Sequence, residues 1–208
     1  MENKNEIIRK NWFSDHVAEY TQVNDKISIL NWRKPNSSIY SVRYVMDGCR
    51  LYVSGDLGEA VFNLTWNATP ESFEDINLGY FHEKLAAFHG DRYSFSSEEA
   101  VERLQEEINN LENNYQDYGY DSENDEEFID RISTLELMQD VATDCSKAKE
   151  WETRIAYDGY DPLFDQLQKY DNDCWEWIFE IGNVIPRRVR AYLIGLKMAN
   201  EQLKGDDE

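Results

Sequence analysis

The sequence predicts an α+β protein. A small antiparallel sheet of three to four strands, with flanking helices, is followed by an all-α part that contains a helical hairpin. Two patterns predict this order. Runs of β-branched and aromatic residues flank Asp47-Gly48, a pair that favours a tight hairpin turn because both residues tolerate positive φ. From residue 96 onward, apolar residues recur at helical spacing. We therefore predict two domains, residues 1–95 and 96–208.

Within the first domain, the order of elements is predicted to be helix, sheet, helix. Apolar and aromatic residues four positions apart indicate an opening helix: Ile8, Trp12, His16 and Tyr20. Strand-like runs then follow at 26–32, 38–46, 50–54 and 59–66. The last run alternates apolar with polar residues, which is typical of a half-buried strand. Together these runs predict an antiparallel meander.

Helix-start signals mark the end of the sheet and the beginning of the second domain. Thr69-Pro70 places an N-cap residue before a proline at the first helical position, and the helix is expected to continue toward Phe88 with a break around Gly79. Ser96 and Glu99 have the spacing of a capping box.

The second domain is predicted to contain an antiparallel helical hairpin. One apolar stripe has heptad-like spacing and consists of Val101, Leu104, Ile108, Leu111 and Tyr115. A polar loop is expected at 116–125, and a second stripe follows at Phe128, Ile132, Leu135, Met138 and Ala142. Two stripes around one loop favour paired helices. Further helices are expected after Asp161-Pro162 and Pro186.

The charge is unevenly distributed along the chain. The protein carries 42 acidic and 21 basic residues, a net charge of −21. Residues 1–95 contain 13 acids and 10 bases, whereas residues 96–208 contain 29 acids and 11 bases. Such a chain repels nucleic-acid phosphates and anionic membranes, so neither direct DNA binding nor membrane association is expected. A basic protein surface is the partner that this charge favours; solubility alone is the alternative explanation.

The candidate binding site is the acidic hairpin. Residues 98–130 contain 13 acids and a single base, Arg103. The predicted partner-binding residues are Glu98, Glu102, Glu106, Asp121, Glu123, Asp125, Glu126, Glu127 and Asp130. Carboxylates in rows on a helix resemble a phosphate backbone in charge, although a solvated acidic face has the same composition. Arg187, Arg188 and Arg190 are expected to pair with these acidic helices.

No catalytic or metal-binding motif is present, so neither a cofactor nor a metal is expected. A calcium loop that began at Asp121 would require Gly and Glu where Glu126 and Ile132 stand. His82-Glu83 lacks the second histidine of a zinc motif, because position 86 is Ala. An enzyme remains the alternative, with a hydrolytic site formed by Asp56, Glu59, His82 or His89.

The remaining signals predict a cytoplasmic protein. Cys49, Cys145 and Cys174 are too few and too widely spaced for a disulfide framework, which favours reduced thiols. The N-terminal residues have no apolar core of a secretory signal, and no apolar run has the length of a membrane helix.

Two segments carry a resemblance to a known group of proteins. SSIYSVRYVMDGCRLYVSGDLGEAVFNLTW (37–66) resembles a sheet domain in phage and plasmid proteins of Gram-positive bacteria, and DNDCWEWIFEIGNVIPRRVRAYLIGLKMANEQL (171–203) resembles the C-terminal end of such phage proteins. Some members of this group are anti-CRISPR proteins that inhibit type II-A Cas9. The resemblance covers 63 of the 208 residues.

The resemblance implies a phage anti-defence protein that inhibits a CRISPR effector nuclease of the Cas9 type, without a catalytic residue of its own. Cas9-type effectors hold nucleic acid in positively charged channels, so this expectation agrees with the acidic composition. Two alternatives stay open: a metal-dependent or nuclease-activating enzyme that acts on guide RNA, and a non-catalytic interaction domain without an anti-defence role.

Overall fold

The computed structural model describes residues 4–118 and 125–206. Its strands are β1 (Val17–Gln22), β2 (Ile27–Arg33), β3 (Val42–Asp47), β4 (Arg50–Gly55), β5 (Ala60–Asn63), β6 (Leu85–Phe88), β7 (Ser94–Phe95) and β8 (Asn183–Val184). Its α-helices are α1 (Lys4–Ile7), α2 (Leu78–Glu83), α3 (Ser97–Tyr118), α4 (Glu126–Asp144), α5 (Ala148–Tyr157), α6 (Leu163–Gln168) and α7 (Arg187–Asp206). A π-helical turn (Ile8–Trp12) and 3₁₀ turns (Pro70–Phe73, Cys174–Glu176, Ile178–Glu180) complete the elements.

The chain forms two compact units. Unit 1 comprises residues 1–92 and 185–208, and unit 2 comprises residues 93–184. The sequence-based division places α7 with the helical part, whereas the structure groups it with the sheet. The apolar stripe of α7 explains this position, because Val189, Tyr192 and Leu196 are fully buried in the core that the sheet builds.

Unit 1 is a six-stranded antiparallel meander, β1-β2-β3-β4-β5-β6. The predicted antiparallel meander is confirmed, but the prediction of three to four strands is wrong. The central strands alternate buried and more exposed residues, as expected for a sheet with one face against a core. The buried face carries Leu30, Trp32, Tyr44, Met46 and Phe62, among others.

Helix α7 packs on the sheet through polar as well as apolar contacts. The buried Tyr44 hydroxyl donates a hydrogen bond to the Tyr192 carbonyl at 2.9 Å, and the Tyr192 hydroxyl donates one to the Leu57 carbonyl at 2.7 Å. Both phenols therefore keep a partner after they leave water. Burial raises the pKa of Tyr192 to about 12.

Both extra strands lie where the sequence predicts helix. The opening helix ends at Trp12 instead of Tyr20, and Val17–Gln22 forms the edge strand β1 paired with β2. Leu85–Phe88 is the opposite edge strand, β6, and helix α2 begins at Leu78 with Gly79 inside it. The predicted N-cap at Thr69 is confirmed for a shorter element, the 3₁₀ turn Pro70–Phe73, where Ser72 Oγ accepts a hydrogen bond from the Thr69 amide at 3.1 Å.

The β3–β4 hairpin forms where it is predicted, with a turn shifted by one residue. Asp47 pairs with Arg50, so the central turn residues are Gly48 and Cys49 rather than Asp47 and Gly48. Gly48 has φ +55°, and Cys49 does not have a positive φ. The positive φ thus favours glycine at the first central position of this turn.

Unit 2 contains the predicted helical hairpin. Helices α3 and α4 pack antiparallel, since Gln139 Nε2 donates to the Val101 carbonyl at 3.2 Å near one end, and the Tyr115 and Phe128 rings lie 4.1 Å apart near the other. Ser96 caps α3 by accepting a hydrogen bond from the Glu99 amide. Trp151 anchors the core, because it is fully buried and its indole N–H donates to the Ile178 carbonyl at 2.8 Å.

Candidate protein-binding face

A row of carboxylates occupies the outer side of α3. Ala100, Leu104 and Ile108 are buried in the core of unit 2, and at about 100° per residue the opposite side of the helix presents the exposed residues Glu98, Glu102 and Glu106. These three repeat every four residues, so their Cα atoms rise about 6 Å from one to the next. The structure therefore brings these predicted residues into one row.

Most bases of unit 2 pair with acids elsewhere in the unit. Unit 2 contains 25 acids and six bases, a net charge of −19, whereas unit 1 contains 17 acids and 15 bases. Four of the six bases make ion pairs with acids outside the row: Arg131 with Asp171, Lys149 with Glu152, Arg154 with Asp144, and Lys169 with Asp161. Among the described residues, Glu98, Glu102 and Glu106 have no ion pair.

The acids at the start of α4 have two kinds of role. Asp125 caps the helix by accepting a hydrogen bond from the Phe128 amide at 3.2 Å, and it also accepts one from the Tyr115 hydroxyl at 3.2 Å. Asp130 accepts a hydrogen bond from Tyr170 at 3.1 Å. Glu126 and Glu127 are exposed. Asp125 and Asp130 therefore support the fold as well as adding charge.

Two tyrosines lie in the negative field of these acids. Desolvation raises the pKa of Tyr115, and its hydrogen bond to Asp125 and the charge of Glu127 raise it further. The pKa of Tyr170 is raised by desolvation first, then by Asp130 and Glu127. In both cases burial is the largest cause, and the nearby carboxylates add to it because they disfavour the phenolate.

Helix α4 adds exposed apolar side chains that the sequence analysis does not identify. Ile129 and Leu137 are 44% and 51% exposed, and they share the outer side of α4 with Glu126, Asp130 and Asp140. Because α4 has apolar residues on both its buried and its exposed sides, the spacing of apolar residues in the sequence does not show which side Ile129 and Leu137 occupy. The outer side of α4 therefore presents apolar surface as well as negative charge.

Two of the four residues considered for a hydrolytic site, Asp56 and His82, have side chains that serve local structure. Asp56 accepts a hydrogen bond from the Tyr40 amide at 2.7 Å. His82 is buried, and its Nε2 lies 2.9 Å from the Arg92 carbonyl. Glu59 and His89 are exposed neighbours, joined by a backbone hydrogen bond of 2.9 Å between β5 and β6. None of these contacts places a nucleophile beside a general base.

Two arginines at the start of α7 make contacts within unit 1. The sequence predicts that Arg187, Arg188 and Arg190 pair with the acidic helices. The structure shows that Arg188 donates to the His89 carbonyl at 3.1 Å and covers the Phe88 ring, and that Arg190 donates to Asn5 at 2.9 Å. These contacts hold the first turns of α7 against other parts of unit 1.

Two of the predicted binding residues, Asp121 and Glu123, lie outside the described residues. Most of the predicted loop at 116–125 lies outside them as well. The first three residues of that loop belong to α3, which extends to Tyr118. Across residues 4–118 and 125–206, no group of three or more His, Cys, Asp or Glu residues could hold a metal ion. Over the same part of the chain, no helix has the length and apolar composition needed to cross a membrane.

The chain matches no protein-family model, and it has no significant match among curated proteins or solved structures.

Proposed function

We propose that the acidic unit binds a basic nucleic-acid-handling surface of another protein and competes there with nucleic acid. The observation that carries the proposal is the unneutralised row Glu98, Glu102 and Glu106 on the outer side of α3. Like charges at i, i+4 spacing cost helix stability, and no described base forms an ion pair with this row. A positively charged partner would convert this unfavourable row into a favourable contact.

We expect the acidic row to compete with nucleic acid by electrostatic attraction to the partner and not by close structural mimicry of a DNA duplex. One carboxylate per about 6 Å of helix is sparser than one phosphate per about 3.4 Å of each DNA strand. The row has the sign of a phosphate backbone at lower charge density. Shape-specific contacts are therefore also needed, and the apolar side chains Ile129 and Leu137 are suited to supply them.

The partner we propose is a type II-A Cas9, with or without guide RNA, and the protein would then be a phage anti-CRISPR inhibitor. The resemblance of residues 37–66 and 171–203 to phage and plasmid proteins supports this choice. A second support is chemical, because Cas9-type effectors hold nucleic acid in positively charged channels to which an acidic face is complementary. No catalytic role is assigned to this chain.

Charge reversal on α3 tests the proposal. Glu102→Lys combined with Glu106→Lys should weaken binding to Cas9 at least tenfold and relieve inhibition of target cleavage, because attraction at this face is replaced by repulsion. Binding is measured by calorimetry at about 0.1 and 0.3 M salt, where screening should also weaken the wild-type complex. The same incubations with guide RNA and Mg²⁺ are examined for cleaved RNA.

The matched control is Asp25→Lys combined with Glu83→Lys, which makes the same charge change at exposed positions of unit 1. This variant should bind and inhibit like the wild type. Equal losses in both variants would mean that net charge alone matters. Full inhibition by the α3 variant would contradict the proposal. Mg²⁺-dependent cleavage of guide RNA would also contradict it and would favour an enzyme instead. No binding to Cas9 would favour a different partner.

A further inference from the structure

Unit 1 contains a pocket whose charge is opposite to that of the whole protein. It has a volume of about 310 Å³ and lies between the N-terminal turns, the segment that leads into α2, and α7. That volume falls at the lower end of the range for small-molecule sites. Three cations line it, namely Arg9, Arg190 and Lys197, and no Asp or Glu is among its described lining residues.

The cations are held by neighbouring groups to different degrees. Arg9 makes a two-pronged ion pair with Glu201, with both N–O distances 3.1 Å. Arg190 donates to Asn5 Oδ1 at 2.9 Å, which fixes the guanidinium beside the pocket. Lys197 makes no ion pair with a described residue. The pKa of Glu74 is lowered mainly by its hydrogen bond to Lys204, and the charge of Lys197 makes a smaller contribution in the same direction. Lys197 therefore leaves positive charge at the pocket.

The rest of the pocket wall is largely apolar. Ile76, Leu78, Leu193 and Ile194 contribute side chains from the segment before α2, from α2 and from α7. Leu193 and Ile194 are only 5% and 6% exposed, so they form a floor that is continuous with the core. A ligand that covered this floor would gain from removing apolar surface from water, and the cations at its edge would select a negative charge.

We propose that this pocket binds a small amphipathic anion, meaning a carboxylate or phosphate attached to an apolar body. The acid group would contact Lys197 and Arg190, and the body would lie on Leu78, Leu193 and Ile194. This site is separate from the acidic face on α3, and the inference does not depend on the proposed function.

The test is a titration of the full chain with two anions and their neutral counterparts. Octanoate is compared with octanol, and adenosine monophosphate is compared with adenosine, by calorimetry and by NMR shifts of the Ile76 and Leu78 methyl groups. At least one anion should bind with a stoichiometry of one and about tenfold more tightly than its neutral counterpart, as expected for a charge-assisted contact. The pair that shows this difference distinguishes a carboxylate ligand from a nucleotide.

Lys197→Gln should weaken binding of that anion about tenfold, and circular dichroism should show an unchanged fold. Lys26→Gln is the control, since it removes the same charge at an exposed position outside the pocket. The proposal is overturned if neither anion saturates the site, if the neutral compounds bind equally well, or if Lys197→Gln and Lys26→Gln behave alike.

Discussion

At the scale of single residues, His16 shows how burial sets a pH response. The residue is 6% exposed, its ring packs beside Phe13 and Trp32, and its Nε2 lies 3.2 Å from the Tyr40 carbonyl. Desolvation lowers the pKa of His16 below its usual 6.5, against smaller opposing effects of the Tyr40 carbonyl and Asp15. The native protein therefore accepts a proton at this site less readily than the unfolded chain.

We expect His16 to make unit 1 less stable as the pH falls from about 6.5 toward its folded pKa, because the unfolded chain takes up a proton there first. The effect is limited to about 1.4 kcal/mol per pH unit for one proton. Urea unfolding at pH 7.5 and 5.5 should show a larger loss for the wild type than for His16→Gln. His89→Gln, at an exposed position, should follow the wild type; equal pH dependence in all three would contradict the prediction.

Gly55 illustrates a position where no side chain fits. It has φ +134°, and a Cβ there would lie 2.3 Å from the Ser41 carbonyl oxygen, a backbone atom. We expect Gly55→Ala to destabilise unit 1 by about 3 kcal/mol or more. Gly48→Ala is the comparison, because nothing lies within 4 Å of its Cβ position, and it should cost only about 1 kcal/mol. Similar urea midpoints for the two variants would refute this reasoning.

At the scale of elements, local chemistry made some of the structure predictable. The caps at Ser96 and Thr69, the hairpin around Gly48 and the paired stripes of α3 and α4 depend on residues close in sequence. The edge strands were missed for different reasons. Val17–Gln22 pairs with the neighbouring strand β2, but the four-residue spacing of apolar and aromatic residues up to Tyr20 indicates helix there instead. Leu85–Phe88 becomes a strand by pairing with β5 across the intervening α2 segment, and no local signal reveals a pairing partner at that distance.

The candidate site was predictable to the extent that it depends on helical spacing. Because Glu98, Glu102 and Glu106 repeat every four residues, their common face follows from the helix alone. The structural roles of Asp125 and Asp130 depend on Tyr115 and Tyr170, which tertiary packing brings to them. The pocket beside Arg9, Arg190 and Lys197 could not be found in the sequence, since its residues are up to 192 positions apart.

If the row on α3 serves binding rather than stability, removing its charge should not weaken the fold. We expect Glu102→Gln combined with Glu106→Gln to stabilise unit 2 slightly, by a few tenths of a kcal/mol for each repulsive pair removed. Chemical unfolding followed by circular dichroism measures this change. Gln105→Ala on the same helix is an uncharged control. A clear loss of stability in the double variant would show that these carboxylates have internal partners.

At the scale of the whole molecule, charge is segregated between the two units. Unit 2 has a net charge of −19, and unit 1 has a net charge of −2. Repulsion among the acids of unit 2 opposes its compact state, and salt screens it.

Raising NaCl from about 0.01 to 0.5 M should therefore increase the melting temperature of unit 2 by about 4 °C, which corresponds to roughly 1 kcal/mol for a domain of this size. The Glu102→Gln, Glu106→Gln variant should respond less, because less repulsion remains to be screened. Scanning calorimetry provides the measurement, and a melting temperature that falls with salt would contradict the prediction.

The two-residue strands β7 and β8 have a consequence for how the chain can vary. Ser94 pairs with Val184, and Phe95 pairs with Asn183, so the chain enters and leaves the helical unit at points only about 5 Å apart. The unit is thus an insertion on a two-strand stem. Its helices can be lengthened, shortened or exchanged without separating the two chain ends that the sheet and α7 must bring together, which makes the acidic surface a replaceable module.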